Sequence, residues 1–345
     1  MSRYRAVTVD YQPELFDIDS DTQQMMQREL GRAEASLELH QSRTEDEALR
    51  VTRGADLVLI QSDRALLTPL VISSLQRCRG ILRVGVGYDS VAVHTATEMG
   101  IPVSNVVGWC ADEVAEHALA LLLACARRTV TLDSVTRNGL WSRNAAAPIH
   151  RIRGRTLGII GFGRSGRAVA ERAKGIGLEL LVHSPSARRD VVTAYGGVKV
   201  SLERLLRDSD LITLHVPLKA DTHHMLGRHE FALMKRGVIL VNTSRGAVVD
   251  EEALLQALDE GIIDAAGLDV METEPLPSGS PLSRYSNVTL TPHVASYSRE
   301  SVRLMYEIGV KVAVGLLRRE WQPTIVNPAV RAKAEARWGS YSDPA

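Results

Sequence analysis

The segment that most restricts the fold is Gly158-Ile159-Ile160-Gly161-Phe162-Gly163-Arg164-Ser165-Gly166-Arg167. The apolar run Thr156 to Ile160 predicts a strand, and a helical pattern follows Gly166. Between them stand three glycines in G-x-G-x-x-G spacing. Gly161 permits a tight turn, Gly163 lets backbone approach a pyrophosphate, and Gly166 lets the helix pack close to the strand. The helix start then offers the amides of Arg164 and Ser165, and a positive dipole end, to phosphate oxygens. The spacing alone is weak, because glycines also mark ordinary turns. The strand before it and the helix after it make a dinucleotide the expected ligand.

A dinucleotide fold usually places an acid about 20 residues beyond the glycines, on the adenine ribose hydroxyls. Here the run is Leu181-Val182-His183-Ser184-Pro185-Ser186-Ala187-Arg188-Arg189, and Ser184 fills the acid's place. An acid would repel a 2′-phosphate, whereas Ser184 and Arg188 or Arg189 would bind one. The expected cofactor is therefore NAD(P)H, with NADP(H) favoured over NAD(H). Two alternatives stand beside this: the arginines lie on a solvated helix face, or Asp190 folds back toward the ribose.

At 345 residues the chain has room for about two domains. Lys+Arg and Asp+Glu are both 41, so no global field draws it to nucleic acid or to an anionic membrane. No window holds the roughly 18 apolar residues of a membrane helix, and the first residues lack the apolar core of a signal peptide. Cys78, Cys110 and Cys125 form neither a CxxC pair nor a metal-ligand spacing. The expectation is a soluble, cytoplasmic protein with reduced thiols, no metal, no nucleic-acid partner and no membrane.

Apolar strands alternate with helical patterns, at Ala6–Val9, Leu57–Ile60, Ile81–Val84, Thr156–Ile160, Glu179–Val182, Leu211–Leu214, Val238–Val241, Ala265–Leu268 and Val288–Leu290. This βα order argues for an α/β chain built on mainly parallel sheets. One set runs to about residue 105, a long helical pattern spans Asp112 to Arg128, and a second set follows from near Arg153 to about 295. Residues from Arg331 onward read as a polar tail.

Three further motifs each follow an apolar strand: Val241-Asn242-Thr243-Ser244-Arg245-Gly246, Gly267-Leu268-Asp269-Val270-Met271-Glu272-Thr273-Glu274-Pro275, and Thr291-Pro292-His293-Val294-Ala295-Ser296. Ligands bind beyond the carboxyl ends of strands in an open parallel sheet, so all three border one expected crevice. Singly, Arg245, Glu274 and His293 have dull explanations: an ion-pair partner, a loop acid, a satisfied histidine. Behind a nucleotide turn and in this order, they resemble the D-isomer-specific 2-hydroxyacid dehydrogenases. The resemblance runs from about residue 50 to 328. Within it, Arg83 to Val91 looks like the family's substrate loop, Asp112 to Leu123 like its interdomain helix, and His215-Val216-Pro217-Leu218 with Thr222 like the loop beside the cofactor. Tyr88-Asp89 and the 112–117 run look closest to the bacterial branch related to the C-terminal binding protein co-repressors.

The resemblance implies a Rossmann-type doubly wound parallel sheet domain plus a smaller flavodoxin-like α/β substrate domain. The substrate domain is discontinuous, at 1–105 and 296–330, around a dinucleotide domain at 106–295. It implies His293 as proton donor, Glu274 as its carboxylate partner and Arg245 as substrate anchor. Thr243, Ser244, Asp269 and Ser296 become cofactor-lining positions, and Gly85, Val86 and Gly87 a substrate loop whose amides hold the substrate carboxylate. It further implies a homodimer acting on a small 2-keto or 2-hydroxy acid, with Trp141 and Trp109 favoured as subunit contacts. Reducing a keto acid needs a hydride at carbon and a proton at oxygen. Histidine exchanges that proton near neutral pH, and arginine binds the carboxylate and polarises the carbonyl. Ser184 in place of the acid, and Ser296 where glycine or alanine is common, depart from the family pattern. His117 reads as structural or interfacial, His223-His224 as solvent-facing, and Glu272 as second to Glu274. The rival function is a nucleotide-sensing binding protein with little turnover.

Overall fold

The computed structural model describes residues 2–13 and 18–343. The chain divides into two compact units: 1–110 with 297–345, and 111–296.

The first unit holds β1 (Tyr4–Thr8), β2 (Ala35–Leu39), β3 (Leu57–Ile60), β4 (Gly80–Arg83) and β5 (Val103–Asn105), all parallel, in the order β2-β1-β3-β4-β5. That order is flavodoxin-like. The central strands are buried along their whole length, as Leu57–Ile60 and Gly80–Arg83 show, because helices cover both sheet faces. One cover is the Arg299–Arg318 helix, which packs on β3, β4 and the Ser20–Arg32 helix. Its Tyr306 hydroxyl accepts a bond from the Gln61 side chain at 2.7 Å.

The second unit holds β6 (Thr156–Ile160), β7 (Glu179–His183), β8 (Gly197–Lys199), β9 (Leu211–Leu214), β10 (Val238–Asn242), β11 (Ile263–Leu268) and β12 (Val288–Leu290). The parallel order is β12-β11-β10-β9-β6-β7-β8. Connections run one way from β6 through β7 to β8, then cross to β9 and run the other way. This is the Rossmann order, with its switch point between β6 and β9. Alternate residues feed opposite cores: Ile159 and Val241 pack under one face, Ile160 and Leu240 under the other.

Two sequence expectations change. Residues from Arg331 are not a polar tail, because Arg331–Trp338 is a helix with Ala334 buried. Arg337 pins it, donating to the carbonyls of Met99 (2.6 Å), Leu75 (2.9 Å) and Gln76 (2.5 Å). Strands β2, β5 and β8 also went unread, and each is an edge strand. β2 and β8 fully bury only their first residue, so their polar residues mask the apolar signal, whereas β5 is buried but at three residues is too short to show a pattern.

Among the described residues no helix is long and apolar enough to cross a membrane, and no group of His, Cys, Asp or Glu could hold a metal ion.

Candidate active site

The glycine turn sits at the switch point. Gly161 has φ +94°, and a Cβ there would fall 2.3 Å from the His215 carbonyl oxygen, which arrives from the end of β9. A Cβ on Gly166 would fall 2.2 Å from the Gly161 carbonyl oxygen. Gly163 differs, since a Cβ there would meet nothing within 4 Å. It caps the Arg164–Gly175 helix without any side-chain cap. Two glycines thus make the fold, and the third opens space in front of the first-turn amides of Arg164 and Ser165. That opening suits a pyrophosphate.

Past β7, Ser184 is buried and its carbonyl accepts from the Ala187 amide at 3.3 Å. Lys199 Nζ braces the loop by donating to the carbonyls of Pro185 (3.1 Å) and Ala187 (2.5 Å). Arg188 forms a two-pronged pair with Asp190, at 3.0 and 2.6 Å, and that pairing holds the Asp190 carboxyl below its usual range. Asp190 therefore turns to the arginine, which must release it to reach a 2′-phosphate. Both side chains are exposed, so opening the pair costs little.

His215 Nε2 lies 3.0 Å from Thr213 Oγ1, and burial pushes the ring's pKa down to about 4. Pro217 and Thr222 close the next loop on itself: Thr222 Oγ1 donates to the Pro217 carbonyl at 2.6 Å and accepts from the Lys219 amide at 2.8 Å.

Beyond β10, Thr243 Oγ1 is buried with no protein partner, a polar atom suited to a bound cofactor. Asn242, not singled out in the sequence, organises this turn. Its Oδ1 accepts from the Ser244 amide (3.0 Å) and hydroxyl (2.7 Å), and its Nδ2 donates to the Arg245 carbonyl (2.9 Å). Only its place at the strand end signals this. Gly246 lies against Met271, where a Cβ would fall 1.9 Å from the carbonyl carbon. The backbone bearing Arg245 is thereby held against the segment bearing Glu274.

Glu274 works at both oxygens. Oε1 accepts from the Met271 amide at 3.0 Å, and Oε2 lies 2.7 Å from His293 Nδ1. His293 has φ +54°, unusual for a non-glycine residue, and its amide donates to the Asp269 carbonyl at 2.8 Å. Asp269 is fully buried. Its carboxylate accepts from the Thr291 hydroxyl (2.5 Å) and from the amides of Val294 (2.9 Å) and Ala295 (2.8 Å). Its visible work is to hold the turn that ends at the half-buried Ser296. Glu272, ranked second in the sequence, faces His224 and stands apart from this pair.

In the first unit, Gly85 has φ +150° and lies over the buried Arg83 guanidinium, which would meet a Cβ there. Asn105 Nδ2 donates to the Val86 carbonyl at 2.6 Å, and the Val106 amide donates to that of Gly85 at 3.0 Å. The Gly85-Val86-Gly87 loop is thus braced from beneath while Val86 stays 46% exposed. Gln61, in the same unit, bonds the Tyr306 hydroxyl and accepts from the Gln12 amide.

A glycine turn at the switch point of a Rossmann sheet, with an arginine, a glutamate and a histidine each beyond the ends of neighbouring strands, supplies the residue types that nicotinamide-linked carbonyl chemistry uses. The family profile described as D-isomer specific 2-hydroxyacid dehydrogenase, NAD binding domain, matches residues 119–295. A glyoxylate reductase of Korarchaeum cryptofilum is 44% identical over 75% of this chain and 79% of its own length. The D-lactate dehydrogenase of Aquifex aeolicus, solved with NAD and lactic acid, superposes with TM-score 0.78 at 29% identity, covering 91% of this chain and 95% of that one. An acyclic imino acid reductase, Bsp5, solved with NADPH and D-Arg, gives TM-score 0.80 at 28% identity over 94% and 99% of the two chains. The chain belongs to the D-isomer-specific 2-hydroxyacid dehydrogenase family.

Proposed function

We propose that the protein reduces a small 2-keto acid to the D-2-hydroxy acid with NADPH or NADH. The observation that supports this most is the 2.7 Å contact between His293 Nδ1 and Glu274 Oε2, on segments adjoining the Arg245 turn. A nicotinamide cofactor, when bound, would supply the hydride. Because Glu274 engages Nδ1, Nε2 is the nitrogen that delivers a proton to the carbonyl oxygen. Glu274 fixes the ring and offsets the imidazolium charge. Arg245 binds the substrate carboxylate and polarises the carbonyl as negative charge develops. The amides of Arg164 and Ser165 would hold the pyrophosphate, and Thr243, Ser244, His215, Pro217 and Ser296 would line the cofactor's other half. NADPH is the favoured form because Ser184 brings no negative charge.

A homodimer in the cytoplasm is part of this reading, with no nucleic-acid or membrane partner. The exposed Thr129–Arg137 helix and Trp141, 92% exposed, support the dimer. The narrower likeness to the co-repressor branch gains no support from the glyoxylate reductase relatives, which are mainly archaeal.

The test is consumption of NADH and NADPH, in parallel, with glyoxylate, hydroxypyruvate, pyruvate and bulkier 2-keto acids. Turnover with at least one acid is expected. Tight cofactor binding without turnover on any acid would favour a nucleotide sensor instead.

A further inference from the structure

His117 is on the Ala111–Arg127 helix, which is apolar enough to pass for pure packing. Its Nε2 lies 2.9 Å from Thr291 Oγ1 and 3.5 Å from Asp269 Oδ1. Thr291 and Asp269 bracket the turn that carries His293: one begins it, and the other accepts its Val294 and Ala295 amides. The histidine on the helix is thus joined, through one hydroxyl and one buried carboxylate, to the turn that bears His293.

Hydrogen counting fixes the direction of these bonds. Burial alone would push the Asp269 carboxyl up. The donors His117, Thr291, Val294 and Ala295 outweigh that and keep it below its usual range. An ionised carboxylate only accepts, so Thr291 spends its single proton on Asp269. The Thr291 oxygen must then accept from His117, and Nε2 must carry a hydrogen. The other ionisable groups near this stretch of helix are Asp112 and Glu116, both drawn to Arg172 of the facing Arg164–Gly175 helix, and Glu113.

We infer that His117 is a positioning residue for the reaction: by donating through Nε2 to Thr291 and Asp269, it holds the turn that sets His293 against Glu274. This rests on reading His293 as the proton donor. His117 itself touches neither substrate nor cofactor in this role. If its bonds are lost, Asp269 keeps its amide donors, but the Thr291 end of the turn loosens and the His293–Glu274 pair with it.

The experiment compares His117→Leu and His117→Gln with wild type and with His293→Ala. Gln places an N–H donor near the position of Nε2, and Leu places none. For His117→Leu, kcat should fall roughly tenfold, as for loss of an outer hydrogen-bond partner, while cofactor Kd stays within about twofold. The alkaline limb of the kcat profile for reduction should move to lower pH, because a loosened Glu274 no longer favours the protonated ring. His117→Gln should recover most of kcat and the limb. The positioning role is overturned if His117→Leu matches wild type in kcat and limb, or if Gln is as poor as Leu. It is also overturned if kcat and cofactor binding fall together with the limb unmoved. Wild-type turnover in His293→Ala would instead remove the proton-donor reading, and the positioning role with it. Should His117→Leu not fold, nitrogen NMR of the wild-type histidines decides. An Nε2-protonated His117 is expected, and the Nδ1 tautomer would overturn the inference.

Discussion

Gly163 and Gly166 are three residues apart in one motif, yet the structure gives them opposite duties. At Gly166 an added Cβ would sit 2.2 Å from the Gly161 carbonyl oxygen, backbone against backbone. A carbon–oxygen contact needs more than 3 Å, so helix and strand must separate by about 1 Å, an overpacking cost of about 3 kcal/mol. For a unit of this size that lowers its unfolding midpoint by roughly 6–12 °C. At Gly163 the Cβ enters open space and φ is −73°, which alanine adopts freely. Gly163→Ala should cost under about 1 kcal/mol as a changed helix cap. The methyl would occupy space a pyrophosphate needs, so cofactor affinity should fall at least about tenfold, or about 1.4 kcal/mol. Thermal unfolding without cofactor, followed by NADPH and NADH titration of each folded variant, separates the two. A well-folded Gly163→Ala that binds both cofactors like wild type would refute the phosphate assignment. A Gly166→Ala with an unchanged midpoint would refute the close contact.

Ser184→Asp should raise the ratio of NADH to NADPH turnover, because a carboxylate there binds ribose hydroxyls and repels a 2′-phosphate; an unaltered ratio would remove Ser184 from the cofactor site. His215, with its folded pKa near 4 and an ordinary value of 6.5, implies that the unfolded chain takes up its proton first. Its contribution is therefore present above about pH 6.5 and is lost as pH falls toward about 4. His215→Asn should flatten that part of the stability curve, and an unchanged slope would place the acid sensitivity elsewhere. Arg337→Ala strips donors from three carbonyls and should destabilise the first unit by about 2 kcal/mol, read as its denaturation midpoint.

What the sequence displayed best was chemistry bound to backbone requirement. Gly161 and Gly166 advertise themselves because no other residue fits the turn, Gly163 because a side chain there would fill the opening before the helix amides, and the buried strands read clearly because both their faces are apolar. Arg245, Glu274 and His293 stood out as a set because each lies a few residues past a strand. Legibility failed where a residue's work depends on a distant partner. Nothing local marks Arg337 as the clamp of a terminal helix, since its acceptors lie more than 230 residues away in sequence. His117, read as structural or interfacial, has its partner Thr291 174 residues away, whereas Asn242 bonds its neighbours Ser244 and Arg245 and is marked by nothing but its place at a strand end. A hydrophobic pattern reports which face is buried, but not which polar atom on that face has been given a partner. Arg188 shows the converse: its spacing suggested a phosphate ligand, and its neighbour Asp190 claims it first.

The first unit is assembled from both ends of the chain, with the second unit interposed. Synthesis runs in one direction at about 5–20 residues per second, so the order of manufacture differs from the order of assembly. When β1 to β5 have left the ribosome, the Arg299–Arg318 helix that covers β3 and β4 has yet to be made. Gln61 and Gly80 wait for Tyr306 and Leu316 throughout the synthesis of the intervening unit. The second unit is continuous and closes its own sheet, so it matures first on the nascent chain. The sheet of β1 to β5 meanwhile lacks this cover until residues 299–318 have been made.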